Sequence, residues 1–597
     1  MFSDAAASAS ALAAASAAFF SALKDFTHVI AIDFGTGESG YAIVANSSNP
    51  NTKPIIEVYN PCDDNDQKTP TAILFDNNKN FLDFGSNAIR KYAEIVDNGN
   101  TALLFQNYKI SLYHMQSEAN SMDGRSMPLI TVISETLKYI SNCALNKLSE
   151  QVGETLHKEK IRWILTVPAL WNEEHKLFMR KAAVKAGIIN EVNSFNLLLC
   201  LEPEGASIQV REDSEDALKK KITKNSIIVV LDCGGGTVDI TINKMLCEPD
   251  EKFLSNEVLS STGGCEWGSK YVDANFENFL KEFLGEKLFA VYQKNASMKI
   301  DILDVFELLK KKFNPENVKH SRLQLSYLGE NLTSDVLKNL VNNYNLLHPD
   351  AKVTQRGSSG IDLSNELMIS FFDPLVDKII NKVKELLEET KNKAGYYPKF
   401  IFLVGGFGES PYLRQRIKKE FESNELIILI PKRPLVSVVR GACMFGLNPF
   451  SITSRIAKKT YGISTLGIFD EKKHPMNKKV VIDGEAFCEN IFDTFVLKDD
   501  SVSVNQEIVK TYCPVRGAQT IMKIILYYTD KREVKYIDEE GVKKFGELIV
   551  NIGEKNQGIE DKLVTVSFLF GNTQIYIIAK NKNTGDIKKC EFKFDSE

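Results

Sequence analysis

The chain has 597 residues, 43% of them hydrophobic and 25% charged, with 73 lysines and arginines against 78 acids and a formal net charge of −5. This balance excludes a disordered polymer, a collagen-like repeat, a polytopic membrane protein and a basic nucleic-acid binder. Ten scattered cysteines contain no C-x-x-C pair and the seven histidines do not cluster with them, so neither a disulfide framework nor a structural zinc is expected, and a reduced, cytoplasmic setting is.

Residues 1–27 read as a leader, because Ala5 to Ala18 is nearly pure alanine and serine and lacks the positive start and leucine-rich stretch of a secretory signal. Four apolar runs ending at turn signals, His28–Ile32, Trp163–Val167, Ile227–Leu231 and Phe400–Val404, predict strands buried on both faces. Among the helices between them, Asn172 caps one that starts with Glu173 and Glu174 and stops at Gly187. Another spans about Ile302 to Phe313. A third pattern breaks at Asp373-Pro374, where the proline suits the first turn of a new helix, and Ser410-Pro411 opens one more. Alternating strands and helices predict an α/β domain over 28–448. After a linker at 449–459 the pattern turns to β. Val504–Lys510, Thr520–Tyr528, Leu548–Ile552, Val564–Phe570, Gln574–Lys580 and Lys589–Phe594 are short runs punctuated by Gly571-Asn572 and Thr584-Gly585, which predicts a β-sandwich over 460–597.

Two stretches echo each other. Ala31-Ile32-Asp33-Phe34-Gly35-Thr36 precedes a strand at Tyr41–Val44, and Val230-Leu231-Asp232-Cys233-Gly234-Gly235-Gly236-Thr237 precedes Asp239-Ile240-Thr241-Ile242. Each reads strand, aspartate, glycine turn, threonine, strand, as in two related halves of one large domain. Glycines at a hairpin tip let backbone N–H groups approach a phosphate, because no Cβ stands in the way. An aspartate beside such a turn repels phosphate but suits a hydrated Mg²⁺ that bridges to phosphate oxygens. Alone, either hairpin reads first as an ordinary glycine turn, and Cys233 reads first as a small buried side chain. A third segment, Phe402-Leu403-Val404-Gly405-Gly406-Phe407-Gly408-Glu409-Ser410-Pro411, runs from a buried strand through glycines to a helix N-terminus, where the backbone can lie against an adenine ring.

In this order the three segments resemble the phosphate loops and adenosine motif of the heat-shock 70-kDa chaperone family, within the actin-like ATPase superfamily. Ile164-Leu165-Thr166-Val167-Pro168-Ala169 resembles the family's T-V-P strand, Leu201-Glu202-Pro203-Glu204-Gly205-Ala206 its E-P-T-A-A segment, and Glu307-Leu308-Leu309-Lys310-Lys311 its adenosine-embracing helix. Thr166 to Trp171, Leu201 to Glu204 and Trp267-Gly268-Ser269 resemble its divergent member-12 branch. Lys459 to Ile463, Phe545 to Leu548 and Lys580 to Gly585 resemble its β-sandwich. The resemblance implies an actin-like (ribonuclease-H-like), two-lobed α/β ATPase domain followed by an all-β sandwich, with no helical lid before Glu597.

The same resemblance implies ATP or ADP with Mg²⁺ as cofactors, and K⁺ as a further candidate. Asp33 and Asp232 would order the metal's water shell. Lys109, Glu202, Thr237 and Asp239 would position the attacking water. Gly35, Thr36, Gly37, Gly234, Gly235 and Gly236 would cradle the phosphates. Glu307, Lys310, Lys311, Gly405, Gly406 and Phe407 would hold the adenosine. The reaction would be in-line hydrolysis without a covalent enzyme intermediate.

Several positions depart from the family pattern. Gly37 and Glu38 stand where a threonine and a hydroxyl or aromatic residue are usual, Phe407 and Glu409 replace serine and arginine, and Leu435 replaces an aspartate. The linker Pro449 to Arg455 lacks acidic and leucine-rich character. Lost donors and an added negative charge predict weaker ATP binding or slower turnover. The leading expectation is a slow ATPase chaperone holding unfolded or extended polypeptide, with co-chaperones as partners and neither nucleic acid nor a membrane span. A nucleotide-sensing scaffold is the alternative, and a sugar-kinase-like phosphotransferase a third. Phe492 to Leu497 is the expected groove-lining strand.

Overall fold

A computed structural model describes residues 26–47, 53–62, 66–153, 158–214, 220–246, 248, 256–317, 320–394, 397–504, 506–554, 558–570, 575–581 and 583–589. Nearly all of the expected leader, the Gly571-Asn572 turn and most of the run at 589–594 lie outside the described residues.

Each continuous apolar run forms a strand whose two faces meet different cores. In β1 (His28–Phe34), Ile30, Ile32 and Phe34 enter one cluster while Val29 and Ala31 enter another. It makes a hairpin with β2 (Glu38–Ala45) and pairs in parallel with β3 (Ile161–Val167), which pairs in parallel with β4 (Leu197–Leu201). β5 (Ile227–Cys233) repeats the plan, with Ile227, Val229 and Leu231 facing one core and Ile228 and Val230 the other. It makes a hairpin with β6 (Val238–Met245), which pairs on with β7 (Asn256–Cys265). On its other edge β5 takes β8 (Phe400–Val404) and then β9 (Ile427–Leu429), both parallel. The echo in the sequence therefore corresponds to a hairpin with two parallel strands beside it, built twice.

Eight helices position the site: α1 (Tyr108–Tyr113), α2 (Glu173–Lys185), α3 (Glu202–Asp213), α4 (Lys270–Lys294), α5 (Ala296–Lys312), α6 (Asn365–Ala394), α7 (Pro411–Phe421) and α8 (Ser437–Leu447). The Asn172 side chain accepts from the backbone N–H groups of Glu174 and His175 at 2.9 and 3.1 Å, which starts α2 where expected. The break expected at Pro374 does not occur, and α6 runs through it. Proline removes one helical hydrogen bond, but Phe371, Phe372, Leu375, Val376 and Ile379 on either side are all buried, and that packing offsets the loss.

Two glycines join the sheets. A Cβ on Gly441 of α8 would lie 1.7 Å from the Gly205 carbonyl oxygen of α3, so these helices cross with their backbones in contact. On one side α8 packs with β1 and β3, and on the other α3 packs with β5 and β8.

Residues 452–456, within the expected linker, form a strand, β10 (Ile452–Ile456). It pairs in parallel with β7 and antiparallel with Ser501–Ser503. Beyond it are two antiparallel sheets. One has the order Lys479–Ile482, Glu485–Val496, Thr460–Ile468, Ile521–Thr529, Val542–Asn551; the other has Gln506–Tyr512, Val564–Phe570, Tyr576–Asn581, Ile587–Lys589. They share one apolar cluster that includes Tyr461, Leu526, Phe545 and Phe568. Phe495 belongs to that cluster and stacks on Phe568 at 4.2 Å, and Phe492 is buried too, so the expected groove-lining strand is a core strand. Among the described residues no helix is long and apolar enough to cross a membrane.

Candidate functional site

Strand register sets the acids in place. Asp33 sits opposite Gly40 in the first hairpin, and Asp232 sits opposite Asp239 in the second. The two glycine tips meet. A Cβ on Gly235 would lie 3.0 Å from the Gly37 Cα, and one on Gly236 would lie 2.4 Å from Thr36 Cγ2. The start of α4 fastens both tips, since the Lys270 N–H donates to the Gly235 carbonyl at 2.9 Å and its Nζ donates to the Thr36 carbonyl at 3.0 Å. The same Nζ also donates to Asn107 Oδ1, and Asn107 is held in the left-handed region at φ +61° just before α1. Burial pushes the Lys270 pKa down to about 8, against the pull of Asp273 and Glu38. Gly405, at φ +83°, closes the base of the second hairpin. A Cβ there would lie 2.3 Å from the Cys233 carbonyl oxygen and 2.4 Å from Asp232 Oδ1.

Below the tips four carboxylates and two lysines converge. Lys109 Nζ, on α1, donates to Glu202 Oε1 at 2.7 Å and lies 5.6 and 5.4 Å from the ring centroids of Phe34 and Trp171. Thr237 Oγ1 donates to Asp239 Oδ2 at 3.3 Å. Both oxygens of Asp33 are engaged, Oδ2 by Lys68 Nζ at 2.6 Å and Oδ1 by Thr166 Oγ1 at 2.9 Å. Burial, and then the charges of Glu202, Asp239 and Asp33, hold the Asp232 carboxyl well above the usual carboxylate range. Burial likewise raises the pKa of Glu202, although Lys109 opposes it. The Cys233 thiol is pushed well up by burial and by Asp232, so it is no reactive thiolate.

This donor set fits a cation on one side only. Asp232 and Asp239 face each other, and their mutual repulsion is what a positive ion relieves. Among the described residues no three ligating side chains are gathered to grip a metal directly, which suits an ion that keeps its waters. Asp33 is already paired with the Lys68 ammonium, and each of its oxygens accepts one hydrogen bond, so its charge is partly spent before such an ion arrives.

The expected adenosine side is also brought near. Lys310, on α5, pairs with Asp273 at 2.7 Å and Glu307 at 2.5 Å. Lys311 lies 3.3 Å from Glu307 and 3.8 Å from Glu38 of the first hairpin. Phe407 does not join this set. It is 3% exposed and packs 6.4 Å from Phe372, because the single turn Phe407–Glu409 carries it into the core beneath α6 and α7.

Lys68, Thr166 and Lys270 belong to the cluster although the sequence reading gave them no role. Thr166 and Lys270 lie in or beside the motifs singled out there, whereas Lys68 reaches Asp33 from 35 residues away with no local signal.

The model of a family described as Hsp70 protein matches residues 29–340, just over half of the 597. Heat shock 70 kDa protein 12A of Homo sapiens is 29% identical over 611 aligned positions, which cover 92% of this chain and 89% of that protein. Heat shock 70 kDa protein 12B of Homo sapiens is 27% identical, over 95% of this chain and 91% of that protein. Chaperone protein DnaK of Picrophilus torridus is 26% identical, over 56% of this chain and 48% of its own length.

Proposed function

Since the chain belongs to the Hsp70 family and carries that family's nucleotide-binding domain, we propose that it binds ATP and ADP between its two glycine hairpins and hydrolyses ATP slowly. The observation that carries this reading is the apposition of Gly35–Gly37 and Gly234–Gly236, with Thr36 and Thr237 of the two hairpins lining one small cavity together with Lys109. Backbone N–H groups at the tips would meet the phosphates. Lys109, held by Glu202, would meet the γ-phosphate and orient water. Asp239 would take the proton of that water as its oxygen bonds to the γ-phosphorus and the bond to the bridging oxygen breaks, releasing ADP and phosphate. Asp232 and Asp239 would hold hydrated Mg²⁺, which would neutralise the charge that develops on the phosphates during hydrolysis. Glu307, Lys310 and Lys311 would flank the adenosine, with Gly405 and Gly406 beneath it.

The two C-terminal sheets are read as a sandwich-type domain for extended polypeptide. Leu466 and Ile468, on one strand, and Val481, two strands away across Glu485–Val496 in the same sheet, are exposed and offer apolar contact. A nucleotide-sensing scaffold with little turnover is the second reading. It is favoured by Glu38 beside Lys311 in the cleft, which sets a negative charge near the expected phosphates. Single-turnover hydrolysis of γ-labelled ATP by wild type against Asp232→Ala tests both. Phosphate release above the variant supports the ATPase, and ATP retained intact supports the scaffold.

A further inference from the structure

Lys68 is an unusual neighbour for a metal-shell carboxylate. Its Nζ lies 2.6 Å from Asp33 Oδ2, and the two side chains are 8% and 5% exposed. The contact is built into the fold. Lys68 leads into Thr69–Pro70, which pairs with β2 at Ser39 and Glu38, so its backbone is fixed beside the first hairpin. Residue 40, directly across from Asp33, is a glycine, and a Cβ there would lie 2.9 Å from Lys68 Cγ. The missing side chain is what lets the lysine stem cross β2 to reach the aspartate. Thr166 Oγ1 donates to the other Asp33 oxygen at 2.9 Å, so each oxygen of the carboxylate is already engaged once. Glu38 and Asp232 add further negative charge around the ammonium.

We infer that Lys68 is a resident cation at the first phosphate hairpin, standing where Asp33 would otherwise order a hydrated divalent ion, and that nucleotide binding in this chain is largely independent of Mg²⁺. The inference rests on the nucleotide-binding reading above and specifies its metal requirement. By neutralising Asp33, the fixed ammonium removes repulsion toward a diphosphate that the metal would otherwise have to offset. Because it is covalently part of the chain, chelators do not remove it. Removing Lys68 while keeping Asp33 would return the carboxylate to metal service.

The test is the dissociation constant of fluorescently labelled ADP measured in Mg²⁺ and in EDTA, for wild type and for Lys68→Met. Wild type should change by about threefold or less between the two buffers, and Lys68→Met by about tenfold or more, in favour of Mg²⁺. A wild-type ratio of about tenfold overturns the inference, as does a Lys68→Met ratio equal to that of wild type. Lys68→Met leaves a buried carboxylate unpaired, so its fold is checked by circular dichroism. If it does not fold, the wild-type ratio decides alone. Absence of ADP binding by wild type in both buffers overturns the nucleotide-binding reading, and this inference with it.

Discussion

Replacing Arg455 by methionine removes half of a buried ion pair that ties β10 to α3. The guanidinium donates from Nε and from one terminal nitrogen to the two Glu204 oxygens, each at 2.7 Å, and Glu204 is 1% exposed. A lone carboxylate left there costs on the order of 3–5 kcal/mol. The protein can instead protonate it. Neutralising an ordinary glutamate at pH 7 costs about 3.7 kcal/mol, which caps the loss near that value, and at pH 5 the cap falls to about 1 kcal/mol. The variant should therefore be less stable by about 3–4 kcal/mol at pH 7, and the gap should narrow as pH falls, because a carboxyl kept neutral in the folded state loses stability as pH rises. Urea unfolding followed by tryptophan fluorescence reads this, since Trp171 lines the cavity of about 350 Å³ that also touches Arg455. Pairing Arg455→Met with Glu204→Met should recover most of the loss, because an apolar pair of similar volume needs no partner. A single-variant loss below about 1 kcal/mol at pH 7, with no pH dependence, would refute the reasoning.

Three further outcomes follow from the same geometry. Lys109→Met should lower the single-turnover rate by about a hundredfold or more while labelled ATP is still retained, and an unchanged rate would remove Lys109 from the reaction. Gly405→Ala should cost at least about 1–3 kcal/mol in urea unfolding, because φ +83° strains any side chain and the new Cβ strikes the Cys233 carbonyl; wild-type stability would contradict this placement. Lys270 and Lys458 both have pKa values lowered to about 8 by burial. Each is then neutral in the folded chain and charged in the unfolded one between about pH 8 and 10, so each contributes a term that rises with pH there, by up to about 3 kcal/mol. Buried cysteines such as Cys200, Cys233 and Cys443, whose pKa burial raises, contribute the opposite sign in the same window, so the lysine term is read as the difference between wild type and Lys458→Met. A difference between the urea midpoints of these two proteins that does not change between pH 8 and 9.5 would contradict the Lys458 placement.

What the sequence reveals here depends on how local the cause is. β1, β3, β5 and β8 are legible because each is apolar on both faces, and α2 because Asn172 caps it in place. The strand Glu485–Val496 is less so, since most of its residues are half-buried and its apolar positions follow no clean alternation. β10 hides in a stretch read as a linker, because its partners lie near residues 256 and 502 rather than beside it. Pro374 is a strong local signal that a large buried face overrides. At the candidate site, aspartates and glycines announce themselves by their spacing. Lys68 does not, because its role depends on the empty space at Gly40. Phe407 stands in the expected motif but turns into the core, where an aromatic ring gains more by burial than at a wet cleft.

Calorimetric titration of ADP into wild type and Gly236→Val measures where the nucleotide sits. A valine at 236 would project toward Thr36 between the two tips, where even a Cβ would lie 2.4 Å from Thr36 Cγ2. Wild type should bind one ADP, and the folded variant should bind at least about tenfold more weakly. Equal affinity in both proteins, or no heat of binding in wild type, would contradict a site between the hairpins.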